Sequence, residues 1–428
     1  MNVADSRRVA SALESLDYQP VDRAEEADVV VLNTCVVRQS AEDSAVGRIS
    51  SLKNLKNKNP DAVINVMGCL VGIKGTLEMQ ERFPHVDVFS PPSDPGPLLA
   101  FLTQSESKAY QQAATSRRFA FMDGELDLPS LDKEELVSAF VPVVLGCSHA
   151  CTYCIIPYRR GPERSRPVED ILNEVRSLVR QGVKEITLLG QIVDRFGLDL
   201  PEPTTLSELL YQAAEIEGLE RLRFLTSHPN WFTKELMEAV ADNPVVMPHI
   251  EVPHQAGDDL VLERMKREYT VEDYRRLVSD IRDRIPGVSI ATDVIVGFPG
   301  ESKEQFDRSY ALLEELRLDV VHLARYSVRP GTVAERKLPD DVAEEEKWRR
   351  FRLMEKLQES IAGEINSKYQ DQVVEVLFEG KHKDRWRGRT PTNKLVFVED
   401  EKNLKGQVLP VKISWAGPWS MRGQLIPS

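Results

Sequence analysis

The sequence predicts an α/β protein in three parts: an N-terminal open parallel α/β sheet, a central partial (β/α)6 barrel and a small C-terminal all-β barrel. Three observations predict it. Apolar, Val-rich runs alternate with helical stretches over the first hundred residues, and six strand–helix units recur between Phe140 and Leu338. The last sixty or so residues carry only strand-like runs with Gly and Asn turns. The expected boundaries are 1–100, a linker 101–136, 137–365 and 366–428.

In chain order, "VADSRRVASALESL" spaces Val9, Leu13 and Leu16 as one helical face, with Asp5 or Ser6 as N-cap candidate. "ADVVVLNTC" and "AVINVMGC" are short continuous apolar runs, typical of strands buried on both faces, with a polar helix at about 41–57 between them. Cys35 and Cys69 follow these strands at their carboxyl ends, where open parallel sheets place ligand sites. A pattern of this kind normally begins with a strand, so a first strand is expected to be missing from this chain. "SPPSDPGP" punctuates the end of the domain.

The six barrel strands are "FVPVVLG", "EITLLGQ", "RLRFLTS", "MPHIEVPH", "IATDVIVG" and "VVHLARYS", with no antiparallel run between them. After the first, Ile171, Leu172, Val175, Leu178 and Val179 line one face of a helix that Pro167 opens and Gly182 ends. A long helix leads out, with Trp348, Phe351, Met354 and Ile361 on roughly one face against the barrel.

Composition sets the class. The chain has 428 residues, 41% hydrophobic and 29% charged, and no apolar run of about 18 residues, so no membrane span is expected. No apolar signal core opens the chain, and a cytoplasmic location is expected. Net charge is −13, against a globally basic nucleic-acid binder, yet residues 366–428 hold 11 Lys and Arg against 7 Asp and Glu. That asymmetry points to a small appended domain whose partner differs from that of the acidic body.

Cys147, Cys151 and Cys154 are spaced Cys-x3-Cys-x2-Cys. Clustered thiols in a reducing compartment point to metal or redox chemistry. Pro157 and Gly161 favour a loop, in which the three can converge on one centre. One reading is a structural zinc with His149 as fourth ligand, although His149 lies between two of the cysteines. The other is a four-iron cluster with one iron open to a substrate, which placement after the first barrel strand favours.

The cysteine spacing with Tyr153 before the last thiol resembles the signature of radical S-adenosylmethionine (SAM) enzymes. "CTYCIIPYRRGPERSRP", "LLGQ", "TSHP", "IVGFPGE" and "RPGT", in that order, are similar to the methylthiotransferases of that superfamily, and the C-terminal part is similar to the TRAM module. The resemblance covers essentially the full length. It implies a 4Fe-4S cluster on Cys147, Cys151 and Cys154 whose open iron chelates SAM, with chemistry carried by clusters rather than by an acid or base side chain. Cleavage of SAM would give a 5′-deoxyadenosyl radical. It also implies a second, auxiliary 4Fe-4S cluster on three N-terminal cysteines, two matched by Cys35 and Cys69. "MNVADS" is similar to the tail of the family's Gly-Cys-Gln-Met-Asn opening, which puts the third two residues before Met1.

Tyr153, Gly190 and Gln191 are the implied SAM contacts; Ile192 stands where the family pattern leads one to expect Asn, so that position is given no role. His228 and Gln255 end later strands at the same mouth. Arg159 and Arg160, beside Arg164 and Arg166, are candidates for RNA phosphate or the SAM carboxylate. Lys381, Lys383, Arg385, Arg387 and Arg389 recur at every second position; on a strand they would share one face opposite Trp386 and track phosphates. The expected activity is methylthiolation of C2 of N(6)-dimethylallyladenosine beside the anticodon of a tRNA. The alternatives are threonylcarbamoyl-adenosine in tRNA, a ribosomal-protein aspartate, or a non-enzymatic iron–sulfur RNA-binding protein. An electron donor of flavodoxin or ferredoxin type and a monomeric state are expected.

Overall fold

The computed structural model describes residues 1–73, 76–103, 125–133 and 135–426; most of the expected linker 101–136 lies outside them. The chain opens with the helix Asn2–Glu14, one turn earlier than Asp5 or Ser6 as cap would allow. Asp5 is buried in its first turn instead. Strands β1 (Val29–Thr34), β2 (Val63–Gly68) and β3 (Val88–Ser90) pair in parallel in that order. Thr34 lies opposite Gly68, so Cys35 and Cys69 leave neighbouring strand ends side by side. Gly68 has φ +100°, and a Cβ there would come within 2.5 Å of the Thr34 carbonyl, which admits only glycine. The expected helix at 41–57 is two, Gln39–Ser51 and Lys53–Lys58, divided at Leu52.

The central domain contains β4 (Ser138–Pro142), β5 (Val144–Leu145), β6 (Arg164–Ser165), β7 (Glu185–Leu189), β8 (Arg221–Leu225), β9 (His249–Glu251), β10 (Ser289–Val296) and β11 (Val320–Arg325). Six are parallel, bonded as β4-β7-β8 and β9-β10-β11. A bridge between Leu222 and Val246, and the Ser227 amide donating to the Glu251 carbonyl at 3.0 Å, join the two halves. This is the expected open six-fold barrel. The short antiparallel pair β5–β6 interrupts it, contrary to the expectation, because the cysteine loop must turn back on itself. Helices Leu206–Ala214, Val271–Arg284 and Lys303–Leu316 each begin with a reciprocal capping box, on Thr205, Thr270 and Ser302. Ile171, Leu172, Val175 and Leu178 of Val168–Arg180 face the barrel core.

The exit helix Glu344–Ser367 packs Met354 and Ile361 on Val294 and Val296. Trp348 turns outward, where the Arg325 guanidinium stacks on its ring at 3.7 Å. Strands β12 (Val373–His382), β13 (Arg385–Arg389), β14 (Leu395–Val398), β15 (Val408–Ala416) and β16 (Met421–Leu425) close a barrel in the order β12-β13-β14-β16-β15. It docks under the amino ends of the central strands. Arg221 Nη1 donates to the Arg389 carbonyl at 2.7 Å, Arg223 Nη1 to that of Pro391 at 2.8 Å, and Lys394 pairs with Asp319 at 2.6 Å.

The expected five-residue basic stripe is a hairpin instead. Lys381 lies on β12, Lys383 turns with Asp384 at positive φ, and β13 carries Arg385, Arg387 and Arg389. Lys381 opposes Trp386, on the other face from the three arginines, and packs its ammonium 5.0 Å from that ring. Arg385 pairs with Glu399, and Arg387 and Arg389 with Glu379.

Candidate metal centre

Gly146 follows β5 with φ +70°, and a Cβ there would lie 2.1 Å from the Pro162 carbonyl oxygen. The loop Cys147–Cys154 hangs from that turn. Cys147 N–H donates to the Gly161 carbonyl at 3.0 Å and Cys154 N–H to that of Cys151 at 3.1 Å. Thr152 ties the loop across the mouth, donating its amide to the Met265 carbonyl (3.1 Å) and its hydroxyl to that of Arg264 (2.8 Å). Pro157 sits in the first turn of the short helix Ile156–Arg160 that ends the loop, and Gly161 closes it at φ +83°.

All five cysteines are free thiols. Arg267 Nη1 lies 3.4 Å from Cys151 Sγ, and its guanidinium is fixed by the Tyr269 hydroxyl (3.1 Å) and the Pro253 carbonyl (3.1 Å). Burial pushes the Cys147 thiol up to about 11, and burial with the neighbouring Cys151 sulfur pushes Cys154 up to about 12. Burial also opposes ionisation of Cys151, but the His149 hydrogen bond and the Arg267 cation outweigh it and hold that thiol down at about 7. Neutral thiols in an apolar pocket become thiolates readily when a cationic centre compensates them.

Among the described residues, no group of three or more His, Cys, Asp or Glu side chains is arranged to hold a metal ion. The surroundings nevertheless fit a cluster with a polar ligand. His149 Nε2, His228 Nε2 and Asp194 Oδ1 are buried about the loop without a hydrogen-bond partner among those residues. His149 packs edge-on against His228 and Trp231, with ring centroids 4.8 and 5.5 Å away. Asp194 accepts the His228 amide at 2.9 Å, and burial raises its carboxyl to about 7.

Gly190 and Gln191 follow β7 at this mouth. A Cβ on Gly190 would meet Val193 Cα at 2.8 Å, and Gln191 Nε2 lies 3.2 Å from Met1 Sδ. Ile192 is buried beside Cys147 and Ile156, an apolar support for the loop. Tyr153 packs against Phe298 and, with Cys154, Gln255, Asp293, Tyr326 and Arg329, lines a mouth pocket of about 220 Å³. A larger cavity of about 800 Å³ lies at the opposite end, against the small barrel and away from the thiols.

The N-terminal domain covers the mouth. Ile155 joins its hydrophobic core, Arg329 pairs with Glu42 at 3.2 Å, and Arg159 reaches the Leu70 carbonyl at 3.4 Å. Arg160 is 5% exposed. Its guanidinium meets Asp5 (3.5 Å), Asn2 Oδ1 (2.8 Å), Ser93 Oγ (3.3 Å) and the Cys69 thiol. The expectation of a phosphate or SAM contact at Arg160 is therefore corrected: burial and four protein partners commit it to fastening the domains. Burial raises the Cys69 thiol, which Arg160 partly offsets, and the Met1 amino group lies among Asp5, Arg160, Cys69 and Cys35. Arg166 is likewise structural, donating to the fully buried Glu174 at 2.6 Å, which also meets Arg8 at 2.5 Å. Arg267, Asp194 and Trp231 were not singled out from sequence; they sit on connections with no local signal beyond ordinary polar or aromatic residues.

Comparison with known proteins follows the same three parts. Residues 1–90 match the Uncharacterized protein family UPF0004, 141–313 the Radical SAM superfamily and 367–426 the TRAM domain. Among solved structures the fold is similar to the radical S-adenosylmethionine methyltransferase TsrM from Kitasatospora setae, with cobalamin and a 4Fe-4S cluster bound. The TM-score is 0.53 at 17% identity, over 73% of this chain and 67% of that one. The barrel and its three-cysteine loop thus define a radical SAM enzyme, a class that uses a 4Fe-4S cluster and SAM. The whole chain is 47% identical to the tRNA-2-methylthio-N(6)-dimethylallyladenosine synthase of Roseiflexus sp. (strain RS-1), over 88% of that protein. It is 43% identical to the protein of the same name from Herpetosiphon aurantiacus, over 95% of it. The chain belongs to this synthase family.

Proposed function

We propose that this protein adds a methylthio group to C2 of N(6)-dimethylallyladenosine in tRNA. The observation that carries the reading is the three-thiol loop at the barrel mouth, covered by a domain that presents Cys35 and Cys69 at adjacent strand ends. Full-length similarity to synthases of that specificity supports it. Cys147, Cys151 and Cys154 hold the 4Fe-4S cluster, and Arg267 steadies the Cys151 sulfur. When bound, that cluster and SAM supply the electron and the carbon radical that remove hydrogen from the target carbon.

The chain's own residues bind and orient. Tyr153, Gly190 and Gln191 border the SAM position, Thr152 and Gly146 fix the loop, and Ile155 and Ile192 exclude water beside it. Cys35 and Cys69 are two protein ligands of an auxiliary 4Fe-4S cluster engaged in sulfur supply. The net-positive C-terminal barrel holds the tRNA, with Lys381 and Lys383 at the hairpin tip as outward cations and Arg159, Arg385, Arg387 and Arg389 as further phosphate contacts. A flavodoxin- or ferredoxin-type donor, a monomer, a cytoplasmic setting and units at 1–100, 137–365 and 366–428 complete the reading. No helix among the described residues is long and apolar enough to cross a membrane.

Mass spectrometry of tRNA nucleosides tests it. A strain lacking its own synthase should regain the 2-methylthio derivative of dimethylallyladenosine when it expresses the active protein. Recovery of 2-methylthio-threonylcarbamoyl-adenosine instead, or of a methylthiolated ribosomal-protein aspartate, would overturn the assignment.

A further inference from the structure

The C-terminal barrel carries two exposed tryptophans outside the basic hairpin, Trp415 at 45% exposure and Trp419 at 58%. Strands β15 and β16 pair with a register shift between Ile413 and Trp415. Lys412 opposes Gln424 and Trp415 opposes Arg422, so these four side chains share one outer face, while Ile413 points into the core. Ser414 is the extra residue. Counted as an ordinary strand position, Ser414 would put Trp415 on the inner face with Ile413; the bulge absorbs Ser414 and re-aims the ring to solvent.

The ring is also held in place. The Arg422 guanidinium sits 4.9 Å from its centroid, and Gly417 lies so close that a Cβ would come within 2.4 Å of a ring carbon. Gly417 N–H donates to the Ser420 carbonyl at 3.0 Å, and Asn366 Nδ2 pins the tip by donating to the carbonyls of Gly417 (2.8 Å) and Pro418 (3.0 Å). Trp419 leaves this pinned turn and borders the cavity that also contains Arg387 and Arg389. A single exposed ring needs no explanation. Two rings on one rigid hairpin, flanked by Lys412 and Arg422 in the net-positive part of an acidic chain, match a stacking surface interleaved with cations.

We propose that Trp415 and Trp419 are platforms on which unpaired RNA bases stack, with Arg422 and Lys412 meeting the adjoining phosphates. The proposal rests on the function above only for the identity of the RNA, which is the anticodon loop. Stacking is tolerant of base identity, so this surface contributes affinity and register while the barrel mouth selects the base.

The test uses the full-length protein with its clusters reconstituted and a fluorescent anticodon stem-loop carrying dimethylallyladenosine. Trp415→Ala and Trp419→Ala should each weaken binding roughly 5- to 100-fold without changing the salt slope. Arg422→Ala should reduce that slope by about one phosphate contact. Trp415→Phe should retain most affinity, which separates stacking from misfolding. RNA should quench the native tryptophan fluorescence, and the Trp415→Phe/Trp419→Phe double variant, which keeps the other three tryptophans, should lose that quenching. A fully paired duplex should bind native and variant proteins alike. Unchanged affinity in both alanine variants, or a native protein that binds no RNA, overturns the proposal. So does concentration-dependent self-association that Trp415→Ala abolishes, since a second copy of the chain would then occupy the face. A native protein that binds and is quenched but leaves the stem-loop unmethylthiolated overturns the proposed function and leaves the platform standing. The converse result, methylthiolation with unaffected binding in the variants, removes the platform alone.

Discussion

Replacing Arg160 with Met separates a domain fastener from an RNA contact. Arg160 and Asp5 lie 3.5 Å apart with side chains 4% and 1% exposed. At an effective dielectric of about 20, Coulomb's law gives about 5 kcal/mol for opposite unit charges at that separation. Removing one partner of a buried pair costs about 3–5 kcal/mol, because the other is left buried and uncompensated. The loss should appear locally, where the helix Asn2–Glu14 meets the barrel. Amide exchange in that helix should therefore accelerate by about two to four orders of magnitude in Arg160→Met, measured on protein without clusters so that a change in cluster binding at Cys69 does not confound it. Asp5→Leu combined with Arg160→Met should recover most of the protection, since two apolar side chains can replace a buried pair at little cost. If Arg160→Met exchanges like the native protein while RNA affinity drops and the salt slope falls by about one contact, Arg160 is an RNA contact and not a domain fastener.

Arg267→Gln removes a cation and a charge-assisted hydrogen bond from the Cys151 sulfur. If the bond's approximate worth of 1.5–3 kcal/mol falls mainly on the reduced state, the cluster's reduction potential should move about 60–130 mV more negative, read by potentiometry with electron paramagnetic resonance. Gly146→Ala puts a Cβ against the Pro162 carbonyl at a positive φ, so the loop must shift, and iron bound per chain should fall while far-ultraviolet dichroism stays native. Burial, then the Asp293 charge, raises the Glu251 carboxyl to about 7 from its usual 4.5. The native state binds that proton more tightly than the unfolded chain does. Its stabilising contribution is therefore full below pH 4.5 and is lost as pH rises towards 7. Relative to Glu251→Gln, thermal melts should show the native protein losing stability across that window, and a flat difference would contradict the burial.

What could be read from the sequence follows from where the information is stored. The six barrel strands are legible because each centres on an apolar run too short for a helix, and the cysteine loop because three cysteines and two helix breakers fall within fifteen residues. Arg160 is not, because it stands in an apparently solvated Arg-rich stretch and its acidic partner is the remote Asp5. The basic stripe misleads because the Lys383–Asp384 turn lacks the Gly or Asn that marks a tight hairpin, although both residues adopt positive φ. Trp348 fits the helical face by spacing but is drawn outward by Arg325, a partner on another element. The direction of Trp415 depends on one bulged residue, Ser414, and parity along a strand cannot be counted through a bulge that the sequence does not announce.

The most direct measurement is 5′-deoxyadenosine release from SAM by anaerobically reconstituted protein, run beside alanine variants of Cys147, Cys151 and Cys154. The native protein should release it and none of the three variants should, with each variant short of one cluster's worth of iron. Undiminished release from any variant, or zinc as the metal held by the loop, would rule out a three-thiolate iron–sulfur centre there.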